Sequence, residues 1–193
     1  MLKHLNNNAS TPSRVVVIGA DGFLGSAIAR CAANDGIEVC KIGRKDVDLL
    51  SLDASTRLQH LLKRGDSVVV TAAIAPAKDH TMVIDNMKLV DTIVAAIAAH
   101  GDNISHVINV SSDAVYADTP TPLNEASATS PDSYHGIMHL AREVHFQTSL
   151  NVPLTIVRPT LVYGANDPHN GYGPNKFRRL AAGGDEIVLF GEG

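Results

Sequence analysis

The chain has 193 residues, 45% apolar and 19% charged, with aromatics at only 4% and no Trp. That length suits one α/β domain, or one domain and the start of another, with a core of Val, Ile, Leu and Ala. A net charge of −4 argues against the basic face that a nucleic-acid partner needs. No apolar run reaches the roughly 20 residues that span a bilayer.

Residues 1–13, with Asn6-Asn7-Asn8 and Thr11-Pro12-Ser13, lack the apolar core of a signal peptide and read as a disordered lead-in. A strand is expected at 14–18, where a β-branched run stops at Gly19. A helix follows at 23–34, with Leu24, Ile28 and Cys31 at helical spacing, and Gly36 ends it. Further strands are expected at 37–42, 47–50 and 67–71, with a helix at 56–63. The small-residue segment 72–76 leads to a long helix at 82–100, whose apolar face is Ile84, Leu89, Ile93, Val94 and Ile97.

The pattern then gives a strand at 106–110, a polar loop, a helix at 133–149 and a strand at 154–158 halted by Pro159. A helix at 177–182, a strand at 186–190 and a turn at 191–193 close the chain. Alternating strands and helices imply parallel pairing by right-handed crossovers, a doubly wound α/β sheet of the Rossmann type. Cys31 and Cys40 are too few for a disulfide framework, and both fall in apolar patterns, so buried free thiols in a reducing cytoplasm are expected.

The segment Gly19-Ala20-Asp21-Gly22-Phe23-Leu24-Gly25 joins the first strand to the first helix. A helix N-terminus offers unpaired N–H groups and a positive dipole end, which suit a phosphate. Gly19 permits the tight turn, Gly22 the close approach of pyrophosphate, and Gly25 the packing of helix on strand. The reading therefore divides the chain into the lead at 1–13 and a dinucleotide-binding Rossmann domain at 14–165. Residues 166–193 are the beginning of a substrate-binding region expected to continue past the last residue.

This turn resembles the GxxGxxG turn of the extended short-chain dehydrogenase/reductases, the NAD-dependent epimerase/dehydratase group, which acts mostly on nucleotide sugars. The resemblance extends over roughly 15–193. It implies an NAD(P)-dependent oxidoreductase or epimerase, with Gly19, Asp21, Gly22, Phe23, Leu24, Gly25, Ala72, Ala73 and Pro159 around the cofactor. The second strand runs into Gly43-Arg44-Lys45 without the carboxylate that takes ribose hydroxyls in NAD enzymes. Arg44 offers a planar fork suited to a 2′-phosphate, although a plain solvated basic turn has the same composition. Gly43-Arg44 followed by Asp48-Leu49 is similar to the NADP-dependent reductase branch, where the aspartate and its apolar neighbour line the adenine. NADP is accordingly favoured over NAD.

The fifth expected strand ends in Ser111-Ser112-Asp113-Ala114-Val115-Tyr116, and a hydroxyl at the carboxyl end of a parallel strand faces the ligand crevice. The resemblance makes Ser112 the residue that polarises the reacting sugar oxygen. Ala114 stands where the family's dehydratases carry glutamate, which weighs against dehydration. Tyr134, followed downstream by Glu143, is similar to the tyrosine of the family's Y-x-x-x-K. A phenol of pKa about 10 needs a nearby positive charge to act as a base. The family's lysine position is here Met138, which supplies neither charge nor donor.

Three readings follow from Met138. The protein is impaired and acts as a cofactor-binding sensor or partner subunit, another cation substitutes, or the chemistry needs only the nicotinamide and Ser112. On phase alone Arg142 lies two turns from Tyr134, and His135 and His139 are expected to point elsewhere. His135, His139 and Glu143 share a helical face, read as a packing or solvated face and not as a metal site. The resemblance implies a homodimer, with a small-molecule substrate of the nucleotide-sugar kind and neither nucleic acid nor membrane as partner. Arg158-Pro159-Thr160-Leu161-Val162-Tyr163-Gly164 matches R-P-x-x-V-Y-G, and Asn175 falls loosely among the family's substrate-contacting positions.

Overall fold

The computed structural model describes residues 8, 10–165, 167–168 and 173–188. In chain order the elements are β1 (Arg14–Ile18), α1 (Phe23–Asn34), β2 (Glu38–Ile42), α2 (Ala54–Leu61), β3 (Ser67–Val70), α3 (His80–Ala98), β4 (His106–Val110), α4 (Tyr134–Ser149), β5 (Leu154–Val157) and α5 (Gly173–Gly183). Short 3-10 turns at Gly101–Asn103 and Asp113–Val115 flank β4. The chain divides into two compact units, Met1–Pro159 and Thr160–Gly193.

The first unit is a parallel sheet of order β2-β1-β3-β4-β5. β1 is buried along its whole length because helices cover both faces. Val16, Ile18, Val68, Val70 and Val107 point to one side, against α2, α3 and Phe146 of α4. Val15, Val17 and Val69 point to the other, against Ala29 of α1. From β1 the chain passes through α1 to β2 on one side, then through α2 to β3 on the other. The sheet therefore reverses direction at β1, and the crevice at such a point is where ligands bind a doubly wound fold. Arg14 is held at the opposite end of β1, its guanidinium 3.3 Å from the Asp66 carboxylate and donating to the Leu61 carbonyl at 3.0 Å.

Three expectations are corrected. Residues 47–50 form no strand, so among the described residues the sheet has five strands and not six. After β2 the chain folds into a tight turn in which the Gly43 N–H donates to Asp46 Oδ2 at 2.8 Å, and Val47 N–H to the Gly43 carbonyl at 3.1 Å. Val47 and Leu49 are buried there as plugs of the core, an alternation that mimics a strand. Cys31 is exposed and Cys40 only half-buried, because the buried line of α1 runs through Gly25 and Ala29. Residues 186–188 take no strand conformation; the rest of that expected strand, the closing turn, and residues 1–7 and 9 of the lead lie outside the described residues.

In the second unit, Asn175 is buried and donates to the Gly164 carbonyl at 2.9 Å and to Asp167 Oδ2 at 3.0 Å. Among the described residues no helix is long and apolar enough to cross a membrane.

Candidate functional site

Gly19 has φ +93°, and a Cβ there would stand 2.6 Å from the Ala72 nitrogen and 2.7 Å from Thr71 Oγ1. Both the backbone conformation and the space demand glycine. The Gly19 N–H donates to the Ile42 carbonyl at 2.8 Å, which ties the turn to the end of β2. Thr71 Oγ1 donates to the Ile18 and Gly19 carbonyls at 3.0 and 3.2 Å, which ties it to the end of β3. A Cβ on Gly25 would strike the Gly19 carbonyl, so helix and strand pack at backbone contact. Gly22 is the N-cap of α1 and no side chain hydrogen-bonds the helix end. The first amides of α1, at Phe23, Leu24 and Gly25, have no side-chain cap, the donor arrangement that a pyrophosphate needs.

At the end of β2, Arg44 has its side chain 82% exposed and pairs loosely with Asp48, 3.5 Å away. Asp48 Oδ1 accepts from the Leu50 N–H, and the buried Leu49 has its carbonyl bonded by Thr92 Oγ1 at 2.9 Å. Asp21 reaches across from the glycine turn, its carboxylate filling the space a Cβ on Gly43 would take. Sequence reading missed both Thr71 and this use of Gly43; glycine directly before Arg44 was the available signal.

The segment after β3 is held from below. Asn86 of α3, fully buried, accepts from the Ile74 N–H at 3.0 Å and donates to the Ile74 carbonyl at 2.9 Å. Arg142 of α4, also fully buried, donates to the Ala72 carbonyl at 2.8 Å and to Asn86 Oδ1 at 3.3 Å. Burial lowers its pKa to about 10. The Ala72 and Ala73 segment therefore rests on a buried amide and a buried guanidinium, neither anticipated. Asn109, on the same sheet face, has its amide buried without a hydrogen-bond partner among the described residues, as do His139 Nδ1 and Arg142 Nε.

After β4, Ser112 Oγ accepts from the Ala114 N–H at 3.1 Å and lies 3.2 Å from Asp113 Oδ1, capping the short turn. The Asp113 N–H reaches the Pro159 carbonyl at 3.3 Å, so Ser112 and Pro159 stand together at neighbouring strand ends. Glu143 of α4 is buried, accepts from Ser111 Oγ at 2.5 Å, and forms a two-pronged pair with Arg158 at 2.9 and 2.6 Å. Arg158 also donates to the Tyr116 hydroxyl at 2.6 Å. Glu143 above all, with Tyr116, raises the Arg158 pKa.

The phase of α4 separates Tyr134 from its neighbours. Tyr134 begins the helix 48% exposed, and Met138 is fully buried. His139 is buried and His135 half-buried, on a packing face turned away from Tyr134 as expected. The Ala77 N–H donates to His135 Nδ1 at 3.4 Å, and the two imidazoles meet edge to face with centroids 4.7 Å apart. A one-residue change of position turns a helical side chain by roughly 100°, so the tyrosine and the histidine face different surroundings.

A parallel sheet whose order reverses at β1, where a glycine turn leads into α1, is a doubly wound α/β fold with its ligand crevice at that point. The model of the NAD dependent epimerase/dehydratase family matches residues 15–193, and the chain belongs to that family. A comparison with curated proteins gives no match. Among solved structures, UDP-N-acetylglucosamine 4-epimerase from Bacillus cereus is similar, with 26% identity and a TM-score of 0.72 over 87% of this chain and 66% of that one. UDP-glucuronic acid 4-epimerase from Bacillus cereus in complex with NAD has 19% identity and a TM-score of 0.70, over 93% and 67% of the two chains. dTDP-4-dehydrorhamnose reductase from Bacillus anthracis in complex with NADP has 19% identity and a TM-score of 0.69, over 92% and 61%. The last two likenesses are of fold. The chain spans about two thirds or less of the proteins it resembles.

Proposed function

We propose that the chain holds a nicotinamide dinucleotide at the glycine turn and serves an NAD(P)-dependent oxidoreductase or epimerase acting on a nucleotide sugar. The cradle of Gly19, Gly22 and Gly25 carries this reading, since a Cβ at Gly19 or Gly25 would fill the space and no side chain caps the α1 amides. When bound, the nicotinamide supplies hydride exchange at a sugar carbon. The chain's own residues bind and orient. The α1 amides meet the pyrophosphate, Leu49 and Asp48 flank the adenine, and Ala72, Ala73 and Pro159 border the remainder. Ser112 polarises the reacting oxygen, and proton handling belongs to the first turn of α4, where Tyr134 and His135 adjoin. Residues 14–165 serve the cofactor and 166–193 begin the substrate region. A homodimer in the cytoplasm completes this reading.

NADP is favoured because the exposed Arg44 guanidinium, held only by its 3.5 Å contact to Asp48, can turn to receive a 2′-phosphate. One observation supports NAD instead: the Asp21 carboxylate stands at the end of β2, where it would accept from ribose hydroxyls and repel a phosphate. The second reading of the whole chain, a binding protein without turnover, is favoured by Met138, which offers no charge to a neighbouring phenol. Titration with NADPH and NADH, followed by nicotinamide fluorescence, tests the proposal. NADPH is expected to bind about tenfold more tightly, with Arg44→Ala removing most of that margin. Tighter binding of NADH transfers the pocket to NAD and Asp21; binding of neither contradicts the reading.

A further inference from the structure

α4 carries a full positive charge into the interior. Arg142 is 0% exposed, one helical turn after Met138 and one before Phe146, on the line of the helix that meets the sheet. Its guanidinium donates to the Ala72 carbonyl and to Asn86 Oδ1, and it forms no ion pair among the described residues. Glu143, next in sequence, is taken by Arg158 and Ser111, and no carboxylate opposes the lowering of the Arg142 pKa by burial. A buried cation without an anion is costly, and an apolar side chain of similar volume would fill this place more favourably. The charge stands directly behind the glycine turn. Ala72, whose carbonyl it holds, donates its N–H to the Ile18 carbonyl at 3.0 Å. That residue lies so near Gly19 that a Cβ on the glycine would come 2.8 Å from the Ala72 Cα.

We propose that Arg142 is the fixed cation of the dinucleotide site: its charge, unmatched by a carboxylate, is offset by the diphosphate held at the glycine turn. The proposal rests on the function just assigned. Arg142 touches no ligand and acts through Ala72, so it is a positioning residue. A charge in the low-dielectric interior acts on a nearby anion more strongly than one in water, and salt screens it little. Holding the Ala72 carbonyl also keeps that acceptor from facing the phosphate oxygens. With its pKa at about 10, the guanidinium is charged at neutral pH. Met138 brings no charge to this face of α4; Arg142, one turn on, supplies it from beneath the end of β3.

Two variants of the full chain separate charge from hydrogen bonding. Arg142→Lys keeps the charge and a donor, whereas Arg142→Gln keeps a donor without charge. Affinity is read by isothermal titration with ADP-ribose, which carries the diphosphate but no nicotinamide, and with NADH and NADPH. Circular dichroism and thermal unfolding establish that each variant is folded at the temperature used. Arg142→Gln should weaken every probe that the parent binds by about tenfold or more, and Arg142→Lys should stay within about threefold of the parent. Equal affinities in the two variants, whether both near the parent or both reduced, overturn the proposal, because the charge then decides nothing. Should Arg142→Gln not fold, the parent decides. Its Arg142 Nε–H resonance, assigned by its absence from the Arg142→Lys spectrum, should move as ADP-ribose saturates the protein, and a fixed resonance overturns the proposal. A parent that binds none of the three probes counts against the proposed function, whereas binding indifferent to Arg142→Gln counts against this inference alone.

Discussion

His139 is only 6% exposed, and burial first, then Arg142 and His135, lower its pKa from 6.5 to about 3. The folded state therefore resists a proton that the unfolded chain accepts. The stability from keeping His139 neutral is present above pH 6.5 and declines as pH falls from there toward 3, by at most roughly 1.4 kcal/mol per unit. His135 and His106, both lowered by burial, act with the same sign. Urea unfolding should show the parent losing about 1–2 kcal/mol between pH 6.5 and 5, and His139→Gln losing clearly less; parallel pH profiles would contradict the assignment. At this scale the glycines were legible because turn chemistry is local. The buried setting of His139 was not, because residue type alone does not show which face of a helix meets the sheet.

Elements are joined to the site by the Glu143 carboxylate, which links α4 to Ser111 at the end of β4 and to Arg158 after β5. Removing it strands a partly buried guanidinium and a buried hydroxyl. Glu143→Ala is expected to cost about 3–5 kcal/mol in chemical unfolding at pH 7; a loss under about 1 kcal/mol would reduce the network to a surface ion pair. Glu143 was noticed as part of a motif, but its partner lies 15 residues away in sequence and no periodicity pairs them. Residues 47–50 failed for the opposite reason. Their alternation is real, but it serves a loop whose apolar side chains plug the core, and the Gly43 turn steers them off the sheet.

For the whole molecule, the alternation of strands and helices was enough to foresee a doubly wound sheet, since parallel pairs require crossovers. The strand order, which puts β1 at the reversal, appears only in the structure. So do the long-range supports of the crevice, Thr71, Asn86 and Arg142. The central claim is that a dinucleotide lies on the bare N-terminus of α1, and Gly22→Asp tests it. Gly22 has φ −75° and ψ 168°, backbone that aspartate adopts, with a Cβ there 3.3 Å from the Gly19 carbonyl; an aspartate carboxylate caps a helix well while occupying and repelling the phosphate site. NADPH and NADH are titrated into the parent and the variant, with thermal unfolding recorded for both. Saturable binding by the parent is expected to weaken at least about tenfold in Gly22→Asp, with the unfolding midpoint held or raised. Equal binding by the two proteins, or none by the parent, would contradict the account.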